Sequence, residues 1–208
     1  FALVITGFLT FTLVGPLMRT LGDAMTNSLV WLYDTTGAIG GGIIGFFYAP
    51  LVVTGMHHSF IAVETQLLAD IAKTGGTFIF PIAAMSNVSQ GAAALAMFFI
   101  IKEQKAKSLA SASAISAYLG ITEPAMFGIN LKFRYPFYAA MIGSGISSAF
   151  ISFFNVKAIA MGAAGLPGVI SIKQEELWFY VLGMLIATVV TITMTFFFSK
   201  RDWTKKTA

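Results

Sequence analysis

The sequence predicts an all-α membrane protein, a polytopic helical bundle with re-entrant or broken helical hairpins. Three observations predict it. Of 208 residues, 57% are hydrophobic and 11% charged, with a mean hydropathy of +0.81. Soluble domains run near ~25% charged, so too few charges remain here to cover a soluble globule. Several apolar runs also approach or exceed the ~18 residues of a helical span, without the alternation of barrel strands. Glycines, prolines and polar side chains interrupt some of these runs at membrane depth. There, irregular backbone is tolerated only inside protein or beside a cavity.

Residues 1–14 read as the end of a membrane helix closed by Gly15-Pro16. The chain starts inside this apolar run, without an initiator Met or an evident cleavable signal, and reads as part of something longer. Residues 16–36 place Leu17, Leu21, Met25, Leu29 and Leu32 at helical spacing, predicting an interfacial amphipathic helix anchored by Trp31 and Tyr33. Residues 38–53 are a glycine-rich span, suited to close helix approach in lipid and broken at Pro50. Thr54 to Phe60 hold both histidines, His57 and His58. Residues 59–69 resume a helix that carries Glu64 and Gln66. The breaker and the polar content predict a discontinuous or re-entrant element.

Residues 73–77 are expected to be a loop. Residues 78–101 form the clearest span, with Ser86, Asn87, Ser89 and Gln90 facing protein or a cavity. Lys102, Glu103, Lys105 and Lys107 mark a basic loop. Residues 109–119 are a small-residue helix. The run Gly120-Ile-Thr-Glu-Pro-Ala-Met-Phe-Gly-Ile-Asn130 follows, then Lys132 and Arg134. Residues 137–154 and 177–199 are further spans, joined by a loop over 155–176. The tail carries Lys200, Arg201, Lys205 and Lys206.

The net charge is +4, and its basic residues lie in clusters between spans. That pattern sets topology rather than nucleic-acid binding. The positive-inside rule places the tail, the 102–107 segment and residues 132–134 on the cytoplasmic side. The 24 residues between them, 108–131, are too few for two crossings of a ~30 Å core at 1.5 Å per residue. The segment therefore enters partway and turns, with Glu123 near its tip.

Glu123 is costly at membrane depth, by at least ~2.5 kcal/mol. It can pair with a base or cap a helix, since Pro124 suits the first helical position. It can accept hydrogen bonds from the hydroxyls of a polyol, with Asn130 as a further partner. It can also relay protons, as in a symporter. His57 and His58 are adjacent and expected to point to different faces. One of them opposite a carboxylate makes a hydrogen-bonding or general-base pair. There is no cysteine and no second ligand cluster, so neither a metal nor a cofactor is predicted.

These residues carry a resemblance. Gly120-Ile-Thr-Glu-Pro and the residues that follow, through Lys132-Phe-Arg-Tyr-Pro-Phe137, resemble the signature of the membrane enzyme IIC component of the bacterial phosphotransferase system, glucose superfamily. Thr54-Gly-Met-His-His-Ser-Phe60 and Met85-Ser-Asn-Val-Ser-Gln-Gly-Ala92 resemble its sucrose, trehalose and β-glucoside branch, with sucrose favoured. The resemblance covers nearly the whole chain. It implies that 1–208 is the C-terminal portion of a sugar-permease domain, with the IIA and IIB domains absent. It implies sugar uptake across the bacterial cytoplasmic membrane, coupled to phosphorylation from a phosphocysteine on IIB, itself supplied through IIA. It also implies a homodimer embedded in lipid, with a scaffold part and a mobile part. Glu123 and His57 take the catalytic positions. The candidate substrate-binding set is Glu123, His57, His58, Thr54, Asn87, Thr122 and Asn130. Some maltose-type relatives carry an arginine where Ala49 stands, so that contact is absent here or supplied elsewhere. Two readings compete with this one: an ion-coupled secondary sugar transporter with Glu123 as the ion site, and a non-catalytic membrane sensor.

Overall fold

The computed structural model describes residues 6–8 and 10–201. The expectations for residues 1–5 and for the tail beyond 201 lie outside these. The long helices are α1 (Gly15–Thr36), α2 (Ala38–Val53), α3 (His58–Ala69), α4 (Ile79–Ile100), α5 (Gln104–Tyr118), α6 (Tyr135–Phe153) and α7 (Leu177–Lys200). Among the described residues three segments are long and apolar enough to cross a membrane: Ile79–Ile100, Tyr135–Phe153 and Gln174–Lys200. The expected span at 38–53 is a helix of 16 residues. At ~1.5 Å per residue it reaches ~24 Å, short of a ~30 Å core.

Gly15-Pro16 does not close the first helix. A π-turn over Thr10–Val14 runs directly into α1, which carries Pro16 as its second residue. Residues 16–36 are helical as expected, and Trp31 is exposed. Tyr33 is not an interfacial anchor. It is buried, with its ring stacked on Phe78 at 4.0 Å between centroids. Pro50 lies in the last turn of α2 and does not end it; the helix runs on to Val53. The 102–107 segment is only partly a loop, because α5 begins at Gln104 and takes in Lys105 and Lys107.

The bundle centres on α4 and α6. Helix α6 packs against α2, α7 and α4, while α4 also packs against α5 and α7. Small residues permit the α2–α6 approach. A side chain at Gly45 would collide with the Ser148 hydroxyl, and the Ser144 hydroxyl donates to the Gly45 carbonyl at 2.7 Å. The polar residues of α4 face protein, as expected: Ser86, Ser89 and Gln90 are at most 2% exposed. Helix α7 instead shows an outer face of Trp178, Leu182, Leu185 and Val189, suited to lipid.

The Gly120 segment forms the expected hairpin. After α5 the chain turns at 119–122 and returns through Glu123–Ala125, a π-turn Met126–Asn130 and Leu131–Phe133, which pack back on α5. Arg134, at φ +64, breaks the return before α6. Met97, Ala110, Ile129 and Tyr135 cluster with Phe133 and Phe198. Residues 102–107, 132–134 and the end of α7 therefore share one end of the bundle. The tip stops beside Asn87, ~20 Å from that end of α4 by the helical rise.

The α2–α3 element comes from the other end. The start of α2 lies against Ser152, near the end of α6, while Ala49 near its close clusters with Met126, Phe137 and Met141. Residues 155–176 cap this end. Ala158 pairs with Thr77 and Ile172, and the Lys157 ammonium donates to the Thr74 carbonyl at 2.7 Å.

Candidate functional site

Where the two broken elements meet, they enclose a cavity of about 330 Å³. That is at the lower end of the range of small-molecule sites. Tyr48 and Val52 of α2 line it, as do His57, His58, Ile61 and Glu64 around α3. Phe80, Ala83 and Asn87 of α4, the tip residues Gly120, Thr122 and Glu123, and Met161 to Ala164 complete it. A larger hollow of about 910 Å³ is lined, among the described residues, by Thr6, Gly7, Thr10, Phe11, Gly15, Pro16 and Thr20. The titratable groups Glu123, His57, His58 and Glu64 line the smaller cavity.

The tip is held by its backbone geometry. Gly120 has φ +102, and the Ala164 carbonyl oxygen sits 2.7 Å from where a β-carbon would stand. Only glycine suits both conditions. The Asn87 side-chain amide donates to the Ala164 carbonyl at 2.8 Å and the Gly120 carbonyl at 3.4 Å. It ties the tip to the 161–164 segment. Thr122 is the N-cap residue and its carbonyl accepts from the Met126 N–H at 2.8 Å. Pro124 takes the early helical position its fixed φ favours.

Glu123 stands exposed at this tip. Among the described residues no ion pair or hydrogen bond engages its carboxylate. The pairing and capping roles open to it from sequence are not used. His57 is half-buried, and its Nδ1 is buried without a partner. Its turn, between α2 and α3, lies outside the spans. Burial lowers the His57 pKa, the neighbouring His58 lowers it further, and Glu123 opposes both. The imidazole is thus favoured neutral, with a free ring nitrogen, in the field of the Glu123 carboxylate. His58 is exposed, and its ring lies 4.1 Å from that of His57. Both histidines line the cavity, contrary to the expectation that adjacent residues must diverge. A turn, unlike a strand, lets neighbouring rings lie side by side.

Of the sequence-predicted set, Glu123, His57, His58, Asn87 and Thr122 converge on this cavity. Thr54 and Asn130 do not line it. The Thr54 hydroxyl donates to the Leu51 carbonyl at 2.9 Å, closing the end of α2. Asn130 is fully buried, and its amide donates to the Gln90 carbonyl at 3.0 Å and side-chain oxygen at 2.7 Å. It locks the returning strand of the hairpin to α4. Sequence reasoning missed Tyr48, the 161–164 segment and Glu64 as parts of the cavity. For Glu64 a signal existed, a carboxylate seven residues from His57 and on its helical face. Among the described residues no cluster of three metal-binding side chains occurs.

Comparison with known proteins identifies the family. Residues 1–145 match the family model described as phosphotransferase system, EIIC. The chain is 61% identical over 201 residues to the PTS system sucrose-specific EIIBC component of Pasteurella multocida, covering 97% of this chain and 42% of that one. It is 64% identical over 188 residues to the sucrose-specific EIIBC component of Staphylococcus xylosus, covering 89% and 39%. It is 44% identical over 198 residues to the trehalose-specific EIIBC component of Bacillus subtilis, covering 95% and 42%. The chain thus spans about two fifths of the length of these relatives. No solved structure matches it. With its broken-helix cavity and the Gly-Ile-Thr-Glu-Pro tip, the chain belongs to the EIIC family of the phosphotransferase system.

Proposed function

We propose that this chain is the sugar-binding membrane part of a phosphotransferase-system permease that takes up sucrose across the bacterial cytoplasmic membrane and phosphorylates it on the way. The observation that carries this is the meeting of His57 and Glu123, both without hydrogen-bond partners, in one cavity between two broken helices. Two relatives at 61% and 64% identity, both described as sucrose-specific, support the choice of sugar. The EIIBC descriptions support an EIIB donor, and a relative described as sucrose-specific EIIBCA supports EIIA as its source.

The chemistry follows from the residues. A sugar hydroxyl entering the cavity loses water and needs acceptors, which the Glu123 carboxylate and the neutral His57 ring supply. The reacting hydroxyl oxygen attacks the phosphorus of a phosphocysteine on EIIB. The oxygen–phosphorus bond forms, the sulfur–phosphorus bond breaks, and the thiolate leaves. The hydroxyl proton passes to His57 or Glu123. The chain has no cysteine, so the donor thiol is brought by EIIB.

The test is uptake of labelled sucrose by cells expressing the full-length protein, with and without the general phosphoryl carriers. Sucrose phosphate should accumulate only when the carriers are present. Uptake of free sucrose that persists without them, and collapses with an uncoupler, refutes the proposal in favour of ion coupling.

A further inference from the structure

Glu64 lines the same cavity as Glu123 and His57, yet the reaction above leaves it idle. It lies on α3, seven residues after His57. Seven residues are just under two turns, so the two share a helical face, with Glu64 ~10 Å further along the axis. Glu64 is 7% exposed, and its Oε1 is buried with no hydrogen-bond partner. Among the described residues no lysine or arginine lines the cavity to neutralise it. Its surroundings are apolar or aromatic. Tyr48 and Phe60 stand beside each other, with ring centroids 5.8 Å apart, and Phe80 adds another wall.

A buried carboxylate with an empty acceptor oxygen is costly, and the cost falls when a donor arrives. Among the described residues none donates to that oxygen, so a ligand hydroxyl entering the cavity can supply the donor. Its position fixes which part of the ligand. A single hexose ring held at His57 and Glu123 does not extend ~10 Å along the helix, whereas the second ring of a disaccharide does. The neighbouring aromatic rings suit the apolar face of that second ring.

We propose that Glu64 is a second substrate carboxylate of the cavity, accepting hydrogen bonds from hydroxyls on the ring of the disaccharide that is not phosphorylated, and so favouring a disaccharide over a monosaccharide. This rests on the reading of the cavity as a sugar site. It adds a residue and a direction: the sugar lies along α3, with its reacting hydroxyl at the histidine end.

The experiment pairs a protein variant with substrate variants. Full-length wild-type protein and Glu64→Gln are purified in nanodiscs, and affinities are measured for sucrose and a series of monodeoxysucroses. Glu64→Gln should weaken sucrose binding about 10-fold or more. The one or two analogues lacking the hydroxyls that Glu64 holds should bind both proteins equally, because the contact is already gone. Those hydroxyls should all lie on one ring. Unchanged sucrose affinity overturns the proposal. So does a parallel loss across every analogue, which marks a structural role. If Glu64→Gln does not fold, Glu64→Asp is measured on the same series: an analogue-selective change is expected, and a parallel change or no change overturns the proposal. Failure of the wild type to bind sucrose removes the underlying sugar reading instead, so the two failures are distinguishable.

Discussion

Glu123→Gln separates binding from folding. The carboxylate makes no hydrogen bond or ion pair with the described residues, and it is exposed at the tip. Its removal therefore leaves no buried partner unpaired within the chain. Exposed substitutions of this kind change stability by within ~0.5 kcal/mol. Binding is different. A hydrogen bond from a ligand hydroxyl to a charged acceptor contributes ~1.5–3 kcal/mol, which corresponds to a ~10- to 150-fold loss of affinity. The assay is calorimetric titration of sucrose into the full-length variant, with its thermal melting curve recorded in parallel. The melting temperature should stay within a few degrees of wild type while affinity falls at least ~10-fold. Transfer of phosphate to sucrose should be abolished in the same preparation. Wild-type affinity in the variant refutes the assignment of Glu123 as a sugar ligand. A large drop in melting temperature refutes the claim that the carboxylate is structurally idle.

The Asn87→Ala change removes both bonds that tie the hairpin tip to the 161–164 segment, and should lower stability by ~1–3 kcal/mol. Sucrose affinity should fall with it, and denaturation and titration of one sample check both. Gly45→Val drives a branched side chain into Ser148 and should destabilise the α2–α6 contact by ~1–3 kcal/mol or more. Partial recovery of the melting temperature in a Gly45→Val, Ser148→Gly double variant tests whether that contact is the cause. The pKa of His57 is held below its usual value, mainly by burial, so the ring stays neutral until the pH falls below the ordinary histidine range. The unfolded chain takes up that proton at higher pH than the folded one, so stability from this group is present above ~6.5 and declines as pH falls below it. Phosphate transfer should fall over the same acidic window if His57 accepts the proton. A His57→Gln variant of the full-length protein should lack transfer at every pH, and activity retained in it counts against that role.

Much of this architecture is legible in the sequence because lipid leaves few options. The apolar runs of α4, α6 and α7 have no alternative to crossing helices. The polar residues Ser86 to Gln90 inside an apolar run mark a helix that faces protein. Gly120, Glu123 and Pro124, between two basic clusters, mark a turn at depth. What stayed hidden depends on pairings between distant elements. Asn130 looks like a ligand in the linear sequence, yet it bonds Gln90, forty positions away. Tyr33 looks like an interfacial anchor until Phe78 is found against it. The 155–176 segment has no periodicity, so nothing in its sequence placed residues 161–164 in the cavity wall. Glu64 shares the helical face of His57 in the sequence, but that this face turns toward Tyr48 and the cavity depends on where α3 packs.

The charges of the cavity bear on direction. Among the described residues its titratable lining consists of Glu64, Glu123, His57, His58 and Tyr48, with no lysine or arginine. Such a site offers acceptors and no cation. It suits a neutral, donor-rich ligand and opposes an anion. A phosphoryl group carries ~1.5–2 negative charges near neutral pH. Once transfer occurs, the sugar that Glu123 held as a hydroxyl donor becomes a dianion facing that carboxylate. Like charges at close range disfavour each other more strongly where little water screens them. On the proposed function, phosphorylation therefore lowers the affinity of the product for the cavity and drives its release on the side where the donor domain works. Sucrose phosphate should compete with labelled sucrose far more weakly than unlabelled sucrose does, by at least ~10-fold, corresponding to ~1.4 kcal/mol of repulsion. The deficit should shrink in Glu123→Gln, where one of the repelling charges is gone. Equal competition by sucrose and its phosphate would mean that Glu123 does not face the reacting end of the sugar.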